Sequence, residues 1–145
     1  MTGVDSALKL EKMKQLGFDY VLDYRVTDFT KTGKKYDLIF DAKSTRLPKS
    51  IAPALKPEGK YVTVGGDLWC LFRIALRSVL GKNNMKVLSL KANQNVDELH
   101  KLIEKNILEP VIDGPYPLEK TVEAVELFGK GNHIGKVILQ IDETD

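Results

Sequence analysis

Cysteine is almost missing from this sequence. The single Cys70 excludes an internal disulfide, and without a Cys-x-x-Cys pair there is no zinc ribbon or thiol-redox motif. An excess of charge is missing too: 22 Lys and Arg against 20 Asp and Glu leave a formal +2. Nothing there suggests the concentrated basic face of a nucleic-acid binder. Long apolar runs are absent. The most apolar stretch, residues 67–80, is 14 residues long and holds Arg73 and Arg77, against the roughly 20 residues a bilayer-spanning helix needs. A half-buried helix or a subunit contact is therefore the expectation there, not a membrane anchor. The opening Met1-Thr2-Gly3-Val4-Asp5 has no basic and apolar leader. With one thiol and no leader, the expectation is a reducing, cytoplasmic setting. Gly-x-Ser-x-Gly, Walker and His-rich metal spacings do not occur either.

What remains is ordinary globular material. The chain has 145 residues, 43% apolar and 29% charged, enough to bury roughly two thirds of its unfolded surface. Short β-branched runs alternate with helical stretches. The expected strands are Thr2 to Val4, Tyr20 to Asp23, Tyr36 to Ala42, Lys60 to Val64, Met85 to Leu90 and Lys136 to Ile141. Helices are expected over Leu8 to Leu16, closed by Gly17, over Val96 to Lys105 and over Leu118 to Phe128. A helix from Pro48 to Leu55 has to be short or split, because Pro53 would stand inside it. Tyr36 to Ala42 has a near-continuous apolar centre, which predicts burial on both faces. Strands separated by helices imply βαβ units and a parallel sheet, hence a single α/β domain of doubly wound type.

In such a sheet ligands bind beyond the carboxyl ends of the strands. The residues there are Asp5, Ser6 and Lys9 after the first strand and Tyr24 after the second. Ala42, Lys43, Ser44 and Thr45 follow the third, and Gly65-Gly66 the fourth. A helix starting near Ser6 offers backbone N–H groups and a positive dipole end to an anion. Ser6 would add a hydroxyl, Lys9 a charge and Tyr24 a phenol, a set suited to a phosphate monoester. The competing reading is local: Asp5 or Ser6 caps the helix, and Lys9 and Tyr24 are solvated surface groups. Gly65-Gly66 is either a plain turn or a place where backbone approaches a flat ring. His100 and His133 lack a partner nucleophile and read as structural, as does Cys70 as a small buried apolar residue. Asp23, Asp37 and Asp41 sit at strand ends, where turn-forming roles are the expectation and a shared acid–base site for two of them is the alternative.

The ordered run of segments resembles a known family. Thr2-Gly3-Val4-Asp5-Ser6, then Leu16-Gly17-Phe18-Asp19-Tyr20-Val21-Leu22-Asp23-Tyr24, Tyr36 to Asp41, Ala54 to Val62 and Val64-Gly65-Gly66 carry it. Pro110-Val111-Ile112-Asp113 and Gly131 to Val137 complete it. Together they are similar to the C-terminal, cofactor-binding part of medium-chain dehydrogenases/reductases, the zinc-containing alcohol dehydrogenase-like superfamily. The nearest likeness is to its quinone oxidoreductase-like branch.

The resemblance implies a Rossmann-like sheet that binds NADP, with NAD as the alternative. It also implies hydride transfer to or from a small carbonyl, enone, quinone or alcohol. Ser6, Lys9 and Tyr24 fall where the branch holds a 2′-phosphate, and Gly65 and Gly66 fall on its turn near the nicotinamide. Asp5 departs from that pattern, since an acid there suits a ribose 2′-hydroxyl. Lys43-Ser44-Thr45 departs from a glycine-containing turn. No residue presents itself as the general acid. The expectation is one truncated NAD(P)-binding domain over residues 1–145, lacking the first strand with its Gly-rich turn and the N-terminal GroES-like domain. Thr2 to Val4 and Tyr36 to Ala42 would then flank a vacant position about 9.6 Å wide, twice the strand spacing. Unpaired edges and the apolar 67–80 stretch predict a homo-oligomer or a missing N-terminal partner segment. The competing class is a non-catalytic binding or oligomerisation module.

Overall fold

Strand and helix alternate along the chain as the hydropathy pattern predicts. The computed structural model describes residues 1–79, 84–89 and 94–141. In order, the elements are β1 (Thr2–Asp5), α1 (Ala7–Gln15), β2 (Tyr20–Asp23), β3 (Tyr36–Asp41), α2 (Pro48–Ile51) and β4 (Leu55–Thr63). Then come α3 (Leu68–Val79), β5 (Met85–Val87), α4 (Val96–Glu104), β6 (Ile112–Pro117), α5 (Thr121–Gly129) and β7 (Lys136–Gln140). Residues 80 and 90, the last of two expected segments, lie outside the described residues.

The described strands form three separate sheets: β1-β2, β3-β4-β5 and β6-β7. β1 and β3 belong to different sheets. The chain divides into two compact units, Met1–Val21 with Asn93–Asp145, and Leu22–Ala92.

In the Leu22–Ala92 unit the three strands are parallel, with Ile39 opposite Tyr61 and Tyr61 opposite Met85. Those three share one face, because side chains alternate along a strand. Tyr61 and Met85 form the core with Ile51 of α2, Leu55 and Ile74 of α3, and Ile39 packs against it. The other face differs from expectation. Leu38 and Phe40 are 59% and 62% exposed, so β3 is covered on one side only. The physical reason is that α2 and α3 supply their buried residues to the Ile39 face alone.

Pro48 opens α2, and Pro53 starts a separate 3-10 turn over Ala52–Ala54, the split that an interior proline forces. α3 is half-buried as expected. Cys70 and Ile74 face the core, while Leu68, Trp69, Phe72 and Val79 are exposed. Its first turn is capped by Asp67, whose Oδ1 accepts the N–H groups of Trp69 at 2.9 Å and Cys70 at 3.2 Å.

In the other unit, Tyr20 N–H reaches Met1 O at 3.2 Å, where β2 lies against β1. α1 ends as its glycine predicts. Gly17 N–H bonds Lys14 O and Phe18 N–H bonds Met13 O, the paired closure of a helix finished by a left-handed residue. β6 pairs in parallel with β7, with a register shift between Asp113 and Tyr116. No strand is among those expected here, and Gly114, Pro115 and Pro117 are residues that disfavour one. β6 survives as an irregular strand, the form in which sheets tolerate proline. Asp113 anchors it, accepting from Tyr116 Oη at 2.6 Å and from Ile134 N–H at 2.7 Å.

Candidate cofactor site

The first group of candidate residues stands at the start of α1. Ser6 occupies the N-cap position in extended backbone, yet its hydroxyl makes no capping bond, although the residue is only 7% exposed. The Asp5 carboxylate takes up the nearest amide instead: Oδ1 accepts Ser6 N–H at 2.7 Å. Lys9 Nζ lies 3.8 Å from the same Oδ1, one helical turn on, as an (i, i+4) pair should. Asp5, Lys9 and Lys12 rim a hollow of about 180 Å³ floored by Met13, Val111 and Ile134. A drug-sized ligand usually needs about 300–1,000 Å³, so this hollow accommodates only part of a dinucleotide. The chemistry present is a cation, a carboxylate acceptor and a buried hydroxyl free of capping duty.

A second group gathers at the carboxyl ends of β3 and β4. The two turns, 41–45 and 63–67, are laced together. Ser44 N–H donates to Gly65 O at 2.8 Å, and Asp67 N–H donates to Ser44 O at 2.9 Å. Thr63 Oγ1 donates to Gly65 O at 2.7 Å. Beneath them, Tyr61 Oη lies 2.8 Å from both Asp41 Oδ2 and Ser44 Oγ. Burial pushes the Tyr61 phenol far above its ordinary value, with the Asp41 bond adding to the rise and Ser44 opposing it. The phenol therefore stays protonated at any physiological pH. Asp41 Oδ1 accepts Lys43 N–H at 3.0 Å, which leaves Ala42 and Lys43 exposed at the tip.

Gly66 has a reason inside the chain for lacking a side chain. Its φ is +144°, and a Cβ there would stand 2.1 Å from Ser44 O. Gly65 is different, since its nearest neighbour would be Ala42 O at 3.5 Å, an ordinary contact. The close approach at Gly66 is thus between two turns of this protein.

Tyr24 belongs to the turn after β2 and is 51% exposed. Asp23 builds that turn, its Oδ1 accepting Arg25 N–H at 2.8 Å, and the Arg25 guanidinium lies 5.8 Å from the centre of the Tyr24 ring. Asp5, Ser6 and Lys9 are thus brought together within one unit. Ala42, Lys43, Gly65 and Gly66 are brought together within the other, which also carries Tyr24.

Sequence reasoning passed over one feature. Arg46 Nη1 pairs with Asp28 Oδ1 at 2.8 Å, beside a hollow of about 560 Å³ edged by Lys31, Thr45 and Ser50. The Asp28 carboxyl is held below its ordinary range, chiefly by the Thr30 hydroxyl, with the Thr30 amide and Arg46 adding. The Asp28-x-Thr30 spacing was the available signal, since Asp commonly bonds backbone two residues on. Arg46 and Asp28 neutralise each other, so the pair presents no net charge to a ligand.

The two histidines stand apart from such chemistry. His100 is exposed on α4, and His133 stacks on Phe128 with ring centres 4.9 Å apart. Among the described residues no group of three or more His, Cys, Asp or Glu could hold a metal ion. No described helix is long and apolar enough to cross a membrane.

Parallel strands alternating with helices in this order define a Rossmann-like α/β fold. The family model described as zinc-binding dehydrogenase matches residues 16–139, and this chain belongs to that family. Among curated relatives it is 26% identical over 147 residues to the chloroplast envelope quinone oxidoreductase homolog of Arabidopsis thaliana, covering 97% of this chain and 44% of the relative. It is 29% identical over 140 residues to the chloroplastic NADPH-dependent alkenal/one oxidoreductase of the same plant, covering 92% and 32%. The structure of the quinone oxidoreductase from Coxiella burnetii superposes with a TM-score of 0.73 at 24% identity, covering 97% of this chain and 44% of that one. The chain therefore spans less than half the length of these relatives. The zinc in the family's description finds no ligand set among the described residues.

Proposed function

We propose that this chain is the nicotinamide-dinucleotide-binding portion of an oxidoreductase. The reaction is hydride transfer between the cofactor and a small carbonyl, enone, quinone or alcohol. Residues 1–145 act as one truncated cofactor-binding part, and the sheet's first strand with its Gly-rich turn, together with an N-terminal GroES-like catalytic domain, completes the enzyme. The observation that carries this reading is the group at the start of α1. A 7% exposed Ser6 whose hydroxyl caps nothing stands one turn from Lys9, at the dipole end that favours anions. That group fits the adenosine end of the cofactor, and the Ala42, Lys43, Gly65 and Gly66 backbone lies at the strand ends where the nicotinamide half would run. When bound, the cofactor supplies the hydride. This chain's residues bind and orient it, with Tyr24 serving as wall or donor.

NADP is the proposed form, and Asp5 is what lets NAD compete. Its carboxylate already occupies the Ser6 amide and lies near Lys9, so a 2′-phosphate has to displace it, whereas a ribose diol uses it as acceptor. A reducing compartment such as the cytoplasm suits the free thiol of Cys70.

Titration of the chain with NADPH, followed by Trp69 fluorescence and by calorimetry, tests the proposal. Micromolar binding that Lys9→Ala weakens supports it, and no heat at millimolar cofactor overturns it. A second reading has its own observation. Leu68, Trp69, Phe72 and Val79 line the outward side of α3 with 57–84% exposure, an apolar stripe suited to a non-catalytic assembly module. Under that reading the chain self-associates and binds no nucleotide.

A further inference from the structure

We propose that Tyr61 is a positioning residue for the nicotinamide half of the cofactor. It fixes the tip residues Ala42 and Lys43, and the facing Gly65, through a buried bridge to Asp41 and Ser44. This rests on the cofactor reading above and deepens it.

The bridge is unusual in where it sits. Tyr61 is 1% exposed and Ser44 is 0% exposed, so both polar groups are withdrawn from water. A phenol carries one proton and an ionised carboxylate none. Tyr61 therefore donates to Asp41 Oδ2 at 2.8 Å and accepts from the Ser44 hydroxyl at 2.8 Å. The two residues so joined bracket Ala42 and Lys43 on either side. Asp41 shapes the tip again through Oδ1, which accepts Lys43 N–H at 3.0 Å. Ser44 carries the constraint across to the second turn through its backbone bonds with Gly65 and Asp67. Asp67 in turn caps α3. One buried oxygen thus determines the conformation of both turns that edge the strand ends.

Burial is what makes the bridge directional. A phenylalanine in place of Tyr61 would still fill the core beside Ile39 and Met85, but would take this partner from the buried Ser44 hydroxyl and from Asp41. Retaining a phenol there is worthwhile only if its oxygen holds something in place. What it holds is exposed backbone at a strand end.

The test uses the full 145-residue chain and two fragments of the cofactor. Nicotinamide mononucleotide and 2′,5′-ADP are titrated separately while backbone amide spectra are recorded. In the Tyr61→Phe chain, the Gly65 and Gly66 amides are expected to shift. Nicotinamide mononucleotide should weaken by roughly fivefold or more, the factor attached to one lost hydrogen bond, while 2′,5′-ADP is unchanged. Asp41→Ala should reproduce the loss and Asp41→Asn, which keeps an acceptor, should recover most of it. This pair decides the matter if Tyr61→Phe does not fold. Equal weakening of both fragments would mean general destabilisation and would overturn the positioning role. Unmoved Gly65 and Gly66 amides with unchanged affinity would do the same. If the unaltered chain binds 2′,5′-ADP but not nicotinamide mononucleotide, this inference falls and the cofactor reading stands. If it binds neither, both fall.

Discussion

A Cβ on Gly66 would stand 2.1 Å from the carbonyl oxygen of Ser44 and 2.6 Å from its nitrogen. These are backbone atoms, held by the Ser44–Gly65 and Asp67–Ser44 hydrogen bonds, so they cannot swing aside. Gly66→Ala is therefore expected to destabilise the chain by about 2 kcal/mol or more, combining the clash with the strain of an L-residue at φ +144°. Gly65→Ala, whose Cβ meets only Ala42 O at 3.5 Å, should lose less than about 1 kcal/mol. Urea unfolding of the two variants compares them directly. Equal losses would contradict the assignment of the clash to Gly66.

Asp113 makes the chain acid-sensitive. The Tyr116 hydroxyl bond, then the Ile134 amide, hold its carboxyl below the ordinary 3.8. A folded value lower than the unfolded one adds stability that is present above the unfolded value. It is lost as pH falls through the folded value. Stability should thus be flat near neutrality and fall below about pH 4. Asp113→Asn should remove part of that fall while lowering stability at neutral pH. Thermal unfolding between acid and neutral pH reads both effects, and an unchanged acid limb would remove Asp113 from the account.

Asp5 should tune the choice between cofactors. Asp5→Asn removes the negative charge 3.8 Å from Lys9 and leaves an acceptor for Ser6 N–H. The ratio of NADPH to NADH affinity should rise by several-fold, the order expected of a part-exposed charge pair. Parallel calorimetric titrations check it. A ratio that stays constant would place the 2′-position of the cofactor away from this carboxylate.

The two sides of α3 should respond in opposite ways. Ile74 is fully buried in the core cluster, so Ile74→Ala should destabilise by about 2–5 kcal/mol. Phe72 is 57% exposed, and Phe72→Ser should change stability by less than about 1 kcal/mol while reducing self-association in light scattering. A large loss of stability at Phe72 would show that its side of the helix is covered.

Much of the framework could be read from pattern alone. Gly17 marked the end of α1 because a left-handed residue is nearly always needed to close a helix in this way. Pro53 divided the 48–55 segment because proline has no N–H to give. The alternation of short β-branched runs with amphipathic stretches yielded the parallel α/β order. β6 escaped because Gly114, Pro115 and Pro117 carry the signature of a loop, while its anchor, the Ile134 amide on Asp113, lies far along the chain. The exposure of Leu38 and Phe40 escaped as well. An apolar run records what a strand can bury, and only the layers present decide which side is buried.

The candidate site divides in the same manner. Asp5, Ser6 and Lys9 were legible because they lie within one helical turn, where spacing translates directly into proximity. Tyr61 was not. It lies inside strand β4, and its partners Asp41 and Ser44 stand 20 and 17 residues away.

By itself, the sequence determined the alternation of strands and helices apart from β6, the ends of α1 and α2, and the cluster at the start of α1. All of these depend on residues a few positions apart. Only the tertiary structure decided that Gly66 yields to the backbone of Ser44 and that a buried phenol ties two distant turns together. It also decided that one face of β3 stays open. Those outcomes depend on which strands lie side by side, and strand pairing joins residues whose separation along the chain carries no local signal.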